Sequence, residues 1–136
     1  MIQRSRSKKK PIVVLPNRAL SNFDLIKYAD ELQIPYFRGV FMKNKLPSTG
    51  PQYQECAIVN LDDDSGPGSH WVAYKKRGSN VIYFDSFGDL QPPLELFEYL
   101  NVDNIKLYNH EKYQNYDTFN CGHLCLKFLS GQIEDI

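Results

Sequence analysis

The chain is short of cysteine, of clustered metal ligands and of any long apolar run. Only three cysteines, Cys56, Cys121 and Cys125, occur in its 136 residues. That odd count cannot build a disulfide framework, and with no CxxC pair and no paired histidines it offers no zinc-ligand spacing. No metal site is therefore expected, and a reducing compartment fits best. No apolar stretch approaches the roughly 20 residues that cross a bilayer, so no membrane association is expected. Residues 1 to 10 are basic rather than apolar, so no secretory signal is expected there either.

Net charge is also lacking, but the balance conceals an asymmetry. Arg4, Arg6, Lys8, Lys9 and Lys10 stand in the first ten positions without an acid, leaving 11 basic against 16 acidic residues, a net −5, in the remainder. The head, residues 1–10, reads as a flexible basic arm suited to nucleic acid or to a nuclear address, or as a solvated tail without a partner. Residues 11–136 have the length and composition of one domain with its own core, rich in aromatics with 9 Tyr and 8 Phe.

The most informative stretch is Tyr113 to Phe128. Leu124, Cys125, Phe128 and Leu129 recur at helical spacing and Gly131 follows where a helix stops, so a short buried helix is predicted from Cys121, with Asn120 as its N-cap. A cysteine in the first turn meets free N–H groups and the positive end of the helix dipole, which favour thiolate. Gly122 beside it is predicted to leave backbone room for a substrate. The plain alternative is a small buried hydrophobe, and a nucleophile needs partners.

Those partners come from a predicted hairpin. SHWVAYKK and VIYFDSF alternate as strands around Arg77-Gly78-Ser79-Asn80. If Lys76 pairs with Val81, Val72 faces Asp85 and His70 becomes the diagonal neighbour of Asp85, whereas a slip of one residue separates them. The carboxylate then fixes the imidazole and stabilises its charged form.

Elsewhere, PIVVL is predicted as an extended segment, and Ser21 with Asp24 as a capping box with a Leu20–Leu25 staple. That box opens a helix whose apolar face is Leu25, Ile26, Ala29 and Leu32. YFRGVFM reads as a bulged strand or a packed loop, CAIVNL as a buried strand, and the three aspartates from 62 to 64 as a solvated turn. A helix after Pro92-Pro93 is expected to carry Leu94, Phe97 and Leu100 on one apolar side, and NIKLYN is expected to form a last strand. His110 and His123 are expected at the surface.

A cysteine protease needs a thiolate, an imidazole, a group that orients the imidazole, and oxyanion donors. Cys121, His70 and Asp85 supply the first three. The Cys121 N–H and the side-chain amide of Gln114, seven residues earlier, are candidates for the fourth.

In that order, His-Trp, FDSFG, and Gln with Cys-Gly seven residues on, the residues from about 36 to 130 resemble the adenovirus protease (adenain) and its relatives in Polinton/Maverick and adintovirus-like elements. SUMO-deconjugating proteases resemble it more distantly. The resemblance implies an α+β fold of papain-like catalytic geometry, a mixed and mostly antiparallel sheet with the nucleophile at the N-terminus of a buried helix. It implies catalytic roles for His70, Asp85, Gln114 and Cys121, and a shielding role for Trp71 against the ion pair, where Trp71 read alone is equally a core residue. It further implies a monomer acting on precursor polypeptides near glycine in the host nucleus or virion, with no required cofactor and with DNA or a peptide as candidate activators. The family's tethering cysteine has no counterpart between Cys56 and Cys121, so disulfide-linked activation is not expected. Two other classes stay open: a protease that removes a ubiquitin-like modifier, and a non-catalytic nucleic-acid-binding virion protein.

Overall fold

The computed structural model describes residues 13–62, 70–88, 90–108 and 119–131. The basic arm, most of the aspartate turn, His110 and Gln114 lie outside these residues.

The chain runs α1 (Asn22–Glu31), β1 (Phe37–Met42), β2 (Gln54–Asn60), β3 (Trp71–Arg77), β4 (Asn80–Phe84), α2 (Leu94–Leu100), β5 (Lys106–Leu107) and α3 (Cys121–Ser130). The five strands form one sheet in sequence order. Its two central pairings, β2–β3 and β3–β4, are antiparallel, and its two outer ones, β1–β2 and β4–β5, are parallel. This is the mixed α+β architecture expected from the sequence.

The capping box of α1 forms as expected. Ser21 Oγ accepts from the Asp24 N–H at 3.1 Å, and Asp24 Oδ2 accepts from the Ser21 N–H at 2.9 Å. Leu20 and Leu25, the staple, are both buried, and Leu25, Ala29 and Leu32 carry the core face. Ile26 departs from the expectation at 47% exposure, because it lies beside that face rather than on it.

β1 is a strand with a bulge, its register against β2 shifting between Phe37 and Gly39. Gly39 takes φ +145°, which a residue with a side chain rarely adopts. In β2 and β3 side chains alternate between two apolar clusters. Ile58 and Ala73 join α1 and α3 on one face of the sheet, while Val59, Val72 and Tyr74 join Leu96 and Leu100 of α2 on the other. Burying a leucine such as Leu25 contributes about 2 kcal/mol, and the many such residues on both faces fix the sheet between its helices.

Two expectations for the second half need correction. The buried leucines of α2 are Leu96 and Leu100, while Leu94 and Phe97 are 65% and 41% exposed, since the helix starts at Leu94 and turns its 96/100 edge to the sheet. The last strand shrinks to Lys106–Leu107, paired with Ile82 and Tyr83.

Candidate active site

The hairpin register is the predicted one, with Lys76 opposite Val81 and Ala73 opposite Phe84. Gly78 opens the two-residue turn at φ +60°, the sign a type II′ turn demands at that position. Continuing the register brings His70, just before β3, and Asp85, just after β4, to the same end of the sheet. There His70 Nε2 and Asp85 Oδ1 lie 2.8 Å apart, His70 is 7% exposed and Asp85 2%.

Asp85 is itself held by a turn. Gly88 N–H donates to the Asp85 carbonyl at 2.9 Å, and the Phe87 N–H donates to Asp85 Oδ1, also at 2.9 Å. Aspartate at the first position and glycine at the fourth suit such a turn, so DSFG places the carboxylate by local chemistry.

α3 begins at Cys121, as predicted, and ends with Gly131 at φ +81°. Asn120 holds the N-cap position but its side chain makes no capping hydrogen bond, because φ −96° and ψ 19° lie outside the extended region that folds a cap back onto the first turn. The sulfur of Cys121 meets that turn instead. It accepts from the backbone N–H groups of Gly122 and Trp71 and sits against the His70 ring.

The Trp71 N–H is available for a reason of register. The Leu61 N–H donates to the His70 carbonyl at 2.9 Å, so in the alternating ladder the N–H of Trp71 points to the β4 side. β4 has already ended at Phe84, two positions short of Trp71's rung, and the sulfur takes the bond.

Opposing effects set the charges here. Burial disfavours the His70 imidazolium, but the hydrogen bonds to Asp85 and Cys121 outweigh it together and raise its pKa to about 9. Burial likewise disfavours the Cys121 thiolate, and the hydrogen bond from His70, the two backbone donors and the imidazolium charge together bring its pKa below the usual thiol value. Both shifts favour the thiolate–imidazolium pair near neutral pH. With Nε2 committed to Asp85, Nδ1 is the ring nitrogen left for the sulfur.

The other cysteines differ. Burial pushes Cys56 up to about 12, and its thiol donates to the Pro35 carbonyl at 3.4 Å. Cys125 is fully buried, with its pKa raised well above the ordinary value, chiefly by burial.

The structure brings His70, Asp85 and Cys121 together, with Trp71 against them. Trp71 is buried, and its indole lies beside Gly122 and donates through Nε1 to the Leu20 carbonyl at 3.3 Å, which ties down the approach to α1. Gly122 is a correction. A Cβ there would lie 3.1 Å from Leu25 Cδ2 and 3.4 Å from Leu20 Cβ, so the room on that side is filled by the α1 staple and the glycine lets the two helices pack. His123 is another. It is half-buried, and its Nε2 donates to the Pro16 carbonyl at 2.8 Å, fastening the segment before α1 to α3.

Phe87 is a site residue that strand spacing does not single out, although the Asp-x-x-Gly turn pattern of FDSFG places it. Its ring stacks on His70 with centroids 4.1 Å apart and planes within 4°. Among the described residues, no group of three or more His, Cys, Asp or Glu could hold a metal ion.

Among solved structures, a crystal structure of the ASFV pS273R protease superposes on this chain with a TM-score of 0.53 and 16% identity, covering 89% of this chain and 60% of that one. The selenomethionine form of the same protease gives 0.53 and 17%, with the same coverage. The likeness is one of fold, and the chain spans about 60% of the length of the protease it matches. No protein-family model and no curated protein sequence matches it.

Proposed function

We propose that the chain is a cysteine endopeptidase of the adenovirus-protease type. The observation that carries this reading is a single imidazole held at 2.8 Å by a buried carboxylate and set against a first-turn cysteine of lowered pKa. The superposed solved structure is itself a protease, which supports the reading at the level of fold.

In this reading the Cys121 thiolate attacks the scissile carbonyl, and His70 gives its proton to the departing amine. Water, deprotonated by His70, then hydrolyses the thioester. Asp85 holds the ring through both steps. Gln114, outside the described residues, and the Cys121 N–H receive the oxyanion. The proposed substrates are precursor polypeptides cut near glycine, and the reaction itself needs no cofactor. The proposed setting is the host nucleus or virion, with the protein as a monomer. The basic arm is proposed to contact DNA phosphates, so removing residues 1–10 should weaken DNA binding and flatten its salt dependence. Unchanged binding would take DNA off the list of partners.

The test is alkylation of Cys121 by iodoacetamide at pH 6, where an ordinary thiol is almost wholly protonated. Wild-type protein should react at Cys121 at least about tenfold faster than the His70→Ala variant, since removing the imidazole leaves the sulfur only its backbone donors. Equal rates would sink the ion pair and with it the proposed mechanism. Peptide cleavage, which needs His70 protonated, should fall as pH rises through about 9.

Gln114→Ala should lower turnover roughly a hundredfold and leave alkylation largely unchanged, because no oxyanion forms in alkylation. Loss of both to the same degree would make Gln114 structural.

A further inference from the structure

We propose that Phe87 is a positioning residue for His70, its ring fixing the plane in which the imidazole spans Asp85 and Cys121 and favouring the protonated ring; this rests on the peptidase reading above. Hydrogen bonds from Nε2 to Asp85 and from Nδ1 to Cys121 hold two corners of the imidazole, but the ring can still rock about the line that joins them. The χ2 torsion of histidine is broad and offers little resistance to such a swing. A flat neighbour does resist it. With centroids 4.1 Å apart and planes within 4°, the Phe87 ring lies in van der Waals contact across the imidazole, so tilting either way drives atoms of one ring into the other.

The stack also bears on charge. The face of a phenyl ring is the negative end of its quadrupole, so a cationic ring laid on it is stabilised while water is kept from that side. Among the described residues, the titratable groups acting on His70 are Asp85, beyond β4, and Cys121, opening α3, and Phe87 adds a third interaction that carries no proton of its own.

One further feature of Phe87 separates its role from ordinary packing. Its backbone and its ring also act on the same pair, since the Phe87 N–H donates at 2.9 Å to Asp85 Oδ1, the oxygen that meets His70 Nε2. One turn, Asp85 to Gly88, thus supplies the carboxylate, a donor that steadies it and the plate that aligns its partner. A substitution at Phe87 keeps the backbone donor and removes only the plate, so the ring's effect is separable.

The experiment is an NMR titration of the His70 imidazole in the full chain, with peptide cleavage measured alongside as a function of pH. In Phe87→Ala and in Phe87→Leu the His70 midpoint should fall by about half a unit or more, and the alkaline limb of cleavage should move down with it. Phe87→Leu keeps apolar bulk without a π face, and it carries the test by itself if the alanine variant does not fold. Phe87→Tyr keeps the face and should hold the wild-type midpoint. A midpoint unmoved in both Phe87→Ala and Phe87→Leu would overturn the proposal, as would an equal fall in Phe87→Tyr. The titration needs no turnover, so a wild-type protein that cleaves no peptide would count against the peptidase reading while still reporting on the stack.

Discussion

Cys121→Ala is expected to abolish peptide cleavage, by about 10⁵-fold or more, while the protein melts within a few degrees of wild type. The two halves of this result have separate causes. The reaction stops because no other described thiol can replace the sulfur: Cys56 is held protonated with its pKa near 12, and Cys125 is sealed in the core. The fold survives because the substitution removes a single atom from a buried residue, and its neighbour His70 keeps the hydrogen bond to Asp85. Cys121→Ser should be as inactive, for a hydroxyl in the same place ionises too reluctantly for this imidazole to activate it by pairing. Mass spectrometry of a polypeptide substrate reads the first half and circular dichroism the second. Cleavage above about 1% of wild type in the alanine variant would place the nucleophile elsewhere.

Much of this site could be read in the chain because its determinants are local. One turn residue, Gly78, sets the hairpin register, and the register alone brings His70 to Asp85. Cys121 opens its helix as the apolar spacing and Gly131 indicate. What could not be read depends on which elements meet. The sequence predicts open space at Gly122, yet α1 fills that space with Leu20 and Leu25, about a hundred residues earlier in the chain. The spare Trp71 N–H follows from β4 ending at Phe84, where spacing suggested a strand running on to Phe87. α2 showed the same limit: seven residues carry too short a pattern to say which edge meets the sheet, and Leu96 and Leu100 won over Leu94 and Phe97.

The other large effect lies away from the sulfur, at Glu55. This carboxylate is 1% exposed, near the start of a strand whose neighbours read as plain apolar core, and it accepts four hydrogen bonds. Arg38 Nη1 at 2.7 Å and the Gln52 N–H at 2.8 Å meet Oε1, while the hydroxyls of Tyr74 at 2.6 Å and Tyr99 at 2.8 Å meet Oε2. β1, β2, β3, α2 and the connection before β2 are thereby tied to one side chain. Burial opposes its charge, but the Gln52 N–H, the two phenols and Arg38 together hold its pKa below the ordinary glutamate value. Glu55→Ala takes the counter-ion from Arg38, which keeps only neutral partners in the Gly50 carbonyl, Thr49 and the Tyr99 hydroxyl, and it removes the acceptor of a wholly buried phenol, so it should cost about 3–5 kcal/mol and lower the melting temperature by roughly 10–20 °C. Glu55→Gln, which keeps the shape but points an NH₂ at donors, should fall between the two. The sign with pH follows from the depressed pKa. The carboxylate stabilises the fold fully above the ordinary glutamate range, and this is lost as pH falls through its lower folded value. The gap between wild type and Glu55→Ala should therefore be widest above about pH 5 and close as the solution is acidified further. Melts that coincide at pH 7 would mean that the four bonds only replace those water provides, and that packing alone holds this side of the sheet.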